Sequence, residues 1–452
     1  MPNSNKKKLY IKTYGCQMNV YDSDRMADLM KYSGYELIDQ IDGANMVIIN
    51  TCHIREKASE KLFCDLGRIN KHKRISESDM IVAVAGCVAQ AEGEEIFKRA
   101  PVVDIIVGPE SYHNLPDMVA KINRGQGIQK KQRQINLDFS PVEKFDNLPV
   151  NSNNSISSFV TIQEGCDKFC TFCVVPYTRG PEFSRPVIDI LSEVNKLVEK
   201  GVIEIYLLGQ NVNAYHGLNN DKEVFNLAKL IKEIAKIPQV KRIRYTTSHP
   251  KDMDSELITL HGDEPKLMPF LHLPVQSGSN NILKAMNRKH TRDHYFKIID
   301  DFKKSCPNIS LSSDFIVGFP GESDKDFADT IDLIKKVGYS QCYSFKYSPR
   351  PGTVGETLEN QVDEKIKDQR LQELQTILYA QQLEFNQQFE GKTIEVLFDK
   401  KQNKNSQQLI GKSEHLQSVV VDFNPDIIGK ITQVKIQKAR PSSLMGQLID
   451  IK

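Results

Sequence analysis

EGCDKFCTFCVVPYTRG, residues 164–180, places three cysteines within eight positions: Cys166, Cys170 and Cys173. The spacing is Cys-x3-Cys-x2-Cys. A structural zinc site takes four ligands, often as two pairs, and an iron–sulfur cluster usually takes four thiolates. Three thiolates on a four-iron cluster leave one iron open to a substrate or cofactor, as a catalytic zinc keeps one position free. The plainer alternative is a structural metal site with a distant fourth ligand.

The surroundings of the triplet favour the open site. It follows a strand candidate, SFVTIQEG, and five more come after it: EIYLLGQN, KRIRYTTS, FLHLPVQ, ISLSSDFIVG and QCYSFKYS. Helical patterns such as Pro186 to Lys200 lie between most of them. Six βα units predict a partial barrel rather than a flat sheet. A helical stretch rich in Gln, Leu and Glu, Glu364 to Phe389, leads out of this domain, expected over residues 157–388.

Upstream, residues 8–125 alternate short apolar strands with helical patterns, which predicts an open parallel α/β sheet. The strand candidates are LYIKTYG, NMVIINTC, DMIVAVAGCVAQ and VDIIVG, with a first helix from about Asp22. Three further cysteines follow strands at once: Cys16 in YGC, Cys52 in NTC, Cys87 in AGC. Ligands of an open parallel sheet bind outside the carboxyl ends of its strands. Cys16, Cys52 and Cys87 therefore converge if their strands are neighbours. Residues 126–156 are polar, aperiodic and read as a linker. Residues 389–452 change to short β runs, KTIEVLFD, SVVVDF, KITQVKIQKA and LMGQLIDI, which predict a small β-barrel. Beyond Glu390 this segment carries ten Lys and Arg against six Asp and Glu. That suits a nucleic-acid module, although a structural barrel with a solvated face reads the same way.

The whole chain has 452 residues and a formal net charge of +2, so a polyanion would have to find a local basic patch. The N-terminus has no signal-peptide core, and the longest apolar stretch, Met80 to Ala91, is too short to span a membrane. A cytosolic protein with no membrane association is expected. Nine cysteines without a secretory signal favour metal binding or catalysis over disulfides.

The triplet after the first strand of a partial βα barrel resembles the radical S-adenosylmethionine (SAM) enzymes. That resemblance implies that the open iron chelates SAM and that an electron from the cluster cleaves it to a 5′-deoxyadenosyl radical. It also implies SAM contacts from LLGQN (Gly209, Gln210, Asn211) and from DFIVGFPGE (Gly318, Glu322). Ser248 in RYTTSHP and Gln276 in HLPVQSGS join them as candidates for SAM or substrate contacts, with SPRPGT. Together with the N-terminal cysteines and the C-terminal barrel, the chain from about residue 8 to 447 resembles the methylthiotransferases of this class. TYGCQMN, NTCHIREKASEK, AGCVAQ and GCDKFCTFCVVPYTRGPEFSRP are similar to the branch acting on isopentenyladenosine in tRNA. Other branches take threonylcarbamoyl-adenosine or a ribosomal-protein aspartate.

By that resemblance, Cys16, Cys52 and Cys87 ligate an auxiliary [4Fe–4S] cluster, Cys166, Cys170 and Cys173 ligate the radical one, and residues 389–452 are an RNA-binding TRAM domain. The implied reaction puts a methylthio group on C2 of isopentenyladenosine at position 37 of the anticodon loop. The implied partners are that tRNA and an electron donor such as flavodoxin or ferredoxin, with a monomer as the expected state. No side chain is singled out as an acid, base or nucleophile, because the C2–H bond is neither acidic nor attached to a leaving group and the cofactor must carry the chemistry. His249 and His272 read as structural hydrogen-bonders. Arg179 and Arg185 could hold RNA phosphate or the SAM carboxylate, or pair with Glu182. Cys64, Cys306 and Cys342 match no motif and read as small buried hydrophobes, with Cys64 the candidate surface thiol. The alternative from another class is a non-catalytic RNA-binding or redox-sensing iron–sulfur protein, which has no need of a SAM-sized barrel.

Overall fold

The computed structural model describes residues 6–53, 56–124, 133–139, 145, 155–399 and 407–449. Most of the expected linker lies outside the described residues. The chain divides into two compact units. Met1–Asn153, Glu164–Asp167 and Cys173–Phe183 form one; Asn154–Gln163, Lys168–Phe172 and Ser184–Lys452 form the other.

The first unit is built on six strands: β1 (Lys7–Tyr14), β2 (Tyr35–Ile38), β3 (Met46–Thr51), β4 (Ile81–Ala85), β5 (Ile105–Val107) and β6 (Gln134–Asn136). Their order is β2-β1-β3-β4-β5-β6, and every pairing is parallel. All residues of β3 and β4 are buried. A sheet covered on both faces needs continuous apolar strands rather than alternating ones. Successive side chains then feed two cores, Ile48 and Ala83 into one and Val47 and Val82 into the other.

Three features differ from the sequence reading. β2 lies in YELI, too short to carry a periodic signal. β6 lies inside the stretch read as a linker and adds to the sheet edge beside β5. The first helix begins at Gln17 rather than near Asp22, because Cys16 sits at its N-cap with extended dihedrals. The Cys16 carbonyl accepts the Asn19 and Val20 amides.

In the second unit all six expected barrel strands are present: β7 (Ser157–Thr161), β8 (Glu204–Leu208), β9 (Arg242–Thr246), β10 (Phe270–His272), β11 (Ser310–Val317) and β12 (Gln341–Lys346). β7, β8 and β9 pair in parallel, as do β10, β11 and β12. A parallel bridge between Ile243 and Leu267 joins the two halves into an open partial barrel. The helix Glu364–Gln387 leads to a closed barrel of β13 (Thr393–Leu397), β14 (Gln408–Ser413), β15 (Ser418–Asp422), β16 (Ile431–Arg440) and β17 (Ser443–Leu448). β14 escaped the sequence reading because Gly411 interrupts a short, weakly apolar run. Among the described residues no helix is long and apolar enough to cross a membrane.

Two buried arginines of β9 fasten the C-terminal barrel to the βα barrel. Arg244 donates to Glu204 at 2.9 Å and to the Ser413 and Glu414 carbonyls at 2.7 Å each. Arg242 donates to the carbonyls of Lys412 at 3.0 Å and Glu395 at 3.3 Å. RYTTSHP was read as a stretch of SAM or substrate contacts; the guanidinium of its Arg244 is instead consumed by this junction. Guanidinium forks suit such carbonyl clusters because their donors are planar and pre-organised. Replacing Arg244 by Ala leaves Glu204 buried without its ion-pair partner, so a loss of about 3–5 kcal/mol is expected. Denaturant unfolding of Arg244→Ala against the parent chain measures it.

Candidate functional site

The carboxyl ends of β1, β3 and β4, which are adjacent in the sheet, carry Cys16, Cys52 and Cys87. The three thiols meet: Cys52 hydrogen-bonds both Cys16 and Cys87. The hydrogen bond with Cys52 lowers the Cys16 thiol to about 7 and the Cys87 thiol to about 6, and the charge of Arg179 acts in the same direction on both. Cys52, sharing protons with two acidic neighbours in a buried place, is pushed well up. Among the described residues no group of three or more His, Cys, Asp or Glu side chains, this triad included, closes tightly enough for a single metal ion.

Glycine makes this convergence possible. Gly15 and Gly86, just before Cys16 and Cys87, have φ of +128° and +90°. A Cβ on Gly15 would stand 2.3 Å from the Cys52 Cβ, and one on Gly86 would stand 2.4 Å from Asn50 Oδ1. Only glycine tolerates both the backbone angle and the approach. Asn50 then ties the turns together. Its Nδ2 donates to the Asn19 carbonyl at 2.8 Å and to Ser23 Oγ at 3.0 Å, and its Oδ1 accepts from Asn19 Nδ2 at 3.0 Å. Asn19 Oδ1 in turn accepts from the Cys16 thiol at 3.2 Å.

Arg179 belongs to the same compact unit. It is 4% exposed. It donates to Asp22 at 2.6 Å and to Glu164, and it hydrogen-bonds Cys87. Its carboxylate partners are these two, and not Glu182, one of the alternatives read from the sequence. Arg185 is likewise committed inside the fold, to Glu193 at 2.8 Å and the Thr161 carbonyl at 2.6 Å. Neither arginine is left for RNA phosphate.

The second unit gathers its polar groups at the carboxyl ends of the barrel strands. Gln163, just past β7, accepts the backbone amides of Gln210 at 2.9 Å and Asn211 at 3.1 Å, which pins the Gly209–Asn211 turn after β8. Asp252 accepts from Asn211 Nδ2 at 2.8 Å and pairs with Lys168 at 2.8 Å. The buried Asn211 Oδ1, Ser248 Oγ, His249 Nε2 and Arg288 Nε have no hydrogen-bond partner among the described residues. Orphaned buried polar atoms are costly, and several at one strand-end face suit a polar cofactor.

Gln276 is buried with φ of +75° and donates its amide to the Asp314 carbonyl at 3.0 Å. Gly318 donates its amide to Glu322 at 2.6 Å, and Glu322 also accepts from Arg370 at 2.8 Å. One Glu322 oxygen therefore shapes its own turn; the other, buried, has no partner among the described residues.

Cys166 and Cys173 lie in segments of the first unit and Cys170 in the second. Arg288 donates to the Cys170 sulfur at 3.6 Å. Asn287 donates to the Phe169 carbonyl at 2.9 Å, and Thr171 donates its amide to the Met286 carbonyl at 3.1 Å. The MNR stretch at 286–288 thus anchors the middle of the cysteine loop. His249 accepts the Lys251 amide at 3.1 Å, and burial, with Arg288 nearby, depresses its basicity. His272 bonds Ser312 at 2.9 Å. Each of the two rings therefore makes a hydrogen bond within the fold. Cys306 is buried, whereas Cys64 is exposed and cannot be a buried hydrophobe.

Sequence reasoning missed Asn19, Asn50, Asp22, Gln163, Asp252, Asn287 and Arg288. Each works through a contact distant in the chain. The one local hint was Asn287, whose φ of +56° is an angle that asparagine tolerates.

Open βα barrels with this strand order and a Cys-x3-Cys-x2-Cys loop define the radical SAM class. A family model described as the Radical SAM superfamily matches residues 160–334. A model described as Uncharacterized protein family UPF0004 matches 8–108, and a TRAM domain model matches 387–449. The fold of a radical SAM methyltransferase, TsrM from Kitasatospora setae, superposes with a TM-score of 0.56 at 12% identity, over 78% of this chain and 74% of that one. A protein of Rickettsia bellii (strain RML369-C) named tRNA-2-methylthio-N(6)-dimethylallyladenosine synthase is 59% identical over 98% of this chain and 99% of its own length. One of that name from Wolbachia pipientis wMel is 57% identical over 97% and 99%. The chain belongs to the tRNA-2-methylthio-N(6)-dimethylallyladenosine synthase family.

Gly86→Ala tests the steric reading of the cysteine triad. It forces a side chain onto backbone and amide atoms at positive φ, so the first unit is expected to lose about 1–3 kcal/mol. Thermal unfolding of Gly86→Ala against the parent chain measures it.

Proposed function

We propose that the chain is a radical SAM methylthiotransferase that places a methylthio group on C2 of isopentenyladenosine at position 37 of tRNA. The observation that carries this reading is the pairing of two three-cysteine sets in one chain. Cys16, Cys52 and Cys87 share one sheet edge, and Cys166, Cys170 and Cys173 follow the first strand of a βα barrel. As a radical SAM family member the chain uses a [4Fe–4S] cluster and SAM, for which Cys166, Cys170 and Cys173 are the ligands we assign. The orphaned Asn211, Ser248 and Glu322 oxygens fit a ligand that brings its own donors, as the SAM amino and ribose groups do. When bound, this pair supplies one-electron chemistry, which an aromatic C–H bond demands.

The chain's own residues position and enclose. Gln163 holds the turn of Gly209, Gln210 and Asn211 in one conformation. Arg288 places a positive charge on Cys170. Gln276 and the Gly318 turn shape the neighbouring strand ends. A second [4Fe–4S] cluster at Cys16, Cys52 and Cys87 is our reading of the auxiliary site. Three thiols with a buried counter-cation suit an anionic cluster with one iron left open for sulfur.

Residues 8–125, 157–388 and 389–452 serve as the methylthiotransferase, radical SAM and TRAM domains. On the last, β16 turns Lys435, Lys438 and Arg440 outward while Val434 and Ile436 fill the barrel, a cationic row suited to tRNA phosphates. The protein works in the cytosol as a monomer, with flavodoxin or ferredoxin as donor, because its cluster needs a low-potential electron.

Three measurements test this. Reconstituted protein should hold about eight iron and eight sulfide, falling to about four of each when Cys166, Cys170 and Cys173 are all replaced by Ala; unchanged iron rejects the assignment. Cys52→Ala should still cleave SAM reductively yet form no methylthio product, read by mass spectrometry of tRNA nucleosides. Lys435→Glu with Lys438→Glu should weaken tRNA binding and flatten the log–log salt dependence by about two. Surface reversal is the clean probe here. A cut near Gly391 would strip the carbonyl acceptors from Arg242 and Arg244 and disturb the βα barrel itself.

A further inference from the structure

A guanidinium buried beside thiols needs a reason. Arg179 is 4% exposed, and its flanking carboxylates Asp22 and Glu164 are fully buried. Burying three charges costs more than an apolar cluster of the same volume, so the arrangement does not exist for stability alone. Its position supplies the reason. Asp22 lies on the helix that starts at Cys16, Glu164 precedes the triplet loop, and Arg179 hydrogen-bonds Cys87. Each terminal nitrogen of the fork meets one carboxylate, Nη2 at Asp22 and Nη1 at Glu164, while the positive charge also bears on Cys16 and Cys87.

We propose that Arg179 is a positioning residue of the N-terminal cysteine site, its guanidinium setting the charge balance, and hence the reduction potential, of the cluster held by Cys16, Cys52 and Cys87. This rests on the two-cluster reading. Three thiolates make a cluster electron-rich. Net charge and hydrogen bonds to the sulfurs are main determinants of its potential. A fixed cation in a dry site favours the reduced, more negative state, so its loss must drive the potential down. Asp22 opposes it: neutralising Asp22 strengthens the net positive field and must drive the potential up. Arginine suits the role because it stays charged when buried and its planar fork can serve carboxylates and a sulfur together.

The test uses the full chain carrying Cys166→Ala, Cys170→Ala and Cys173→Ala, so that only the N-terminal cluster remains. After anaerobic reconstitution its midpoint is followed by redox titration with electron paramagnetic resonance. Adding Arg179→Gln should leave about four iron bound and move the midpoint negative, while Arg179→Lys should restore most of the shift. A full cluster with an unmoved midpoint in Arg179→Gln overturns the proposal. If Arg179→Gln loses its cluster, Asp22→Asn carries the test: a positive shift supports the role of Arg179, and no shift overturns it. Failure of the triple-cysteine chain to bind any iron overturns the two-cluster reading, and the proposal with it. A cluster whose potential ignores both residues overturns the proposal alone.

Discussion

Parallel strands all end on the same edge of their sheet, and everything functional in this chain depends on that constraint. Cys16, Cys52 and Cys87 are far apart in sequence, yet each is the first group past a parallel strand, and β1, β3 and β4 are neighbours. The edge then does the gathering. The partial barrel repeats the device with β7 to β12, collecting Gln163, the Gly209 turn, Ser248, Gln276 and the Gly318 turn at one end.

Gathering is not enough; the groups must also be held. The first unit does so with steric tightness and short hydrogen-bond chains. Gly15 and Gly86 let backbones approach within distances that no Cβ survives, and Asn50 fixes the adjoining turn. The second unit uses side-chain acceptors for main-chain donors. Gln163 takes two amides of the turn after β8, and Glu322 takes one in the turn after β11. Turns fixed in this way pay no ordering entropy when a ligand arrives.

Carbonyl-to-arginine contacts join the C-terminal barrel to the βα barrel, beside a bond between His415 and the Pro269 carbonyl. Arg242 and Arg244 sit on β9, whose carboxyl end leads directly to Ser248. The strand that places a candidate ligand contact is therefore the strand that docks the basic module. The exposed face of β16 remains outside that junction and keeps its lysines in solvent.

The sequence by itself determined the elements and the cysteine sets. Short apolar runs between helical patterns read as strands of a covered parallel sheet, and cysteines directly after such strands lie at its strand-end edge. The triplet spacing and the strand count made the barrel and its class legible, because these are local patterns. The partners of buried charges were not legible. Arg179 sits in a stretch that read as part of the barrel, and nothing near it in sequence names Asp22 as its partner. Arg244 lies in RYTTSHP, a stretch read for ligand contacts; besides Glu204, its acceptors are main-chain carbonyls well over a hundred residues away, which any sequence could supply. The same holds for β6, a three-residue strand formed only because β5 offers an open edge. Charge pairing, edge addition and the choice among equivalent carbonyls are set by distance in space. Only the folded chain brings those distances into being.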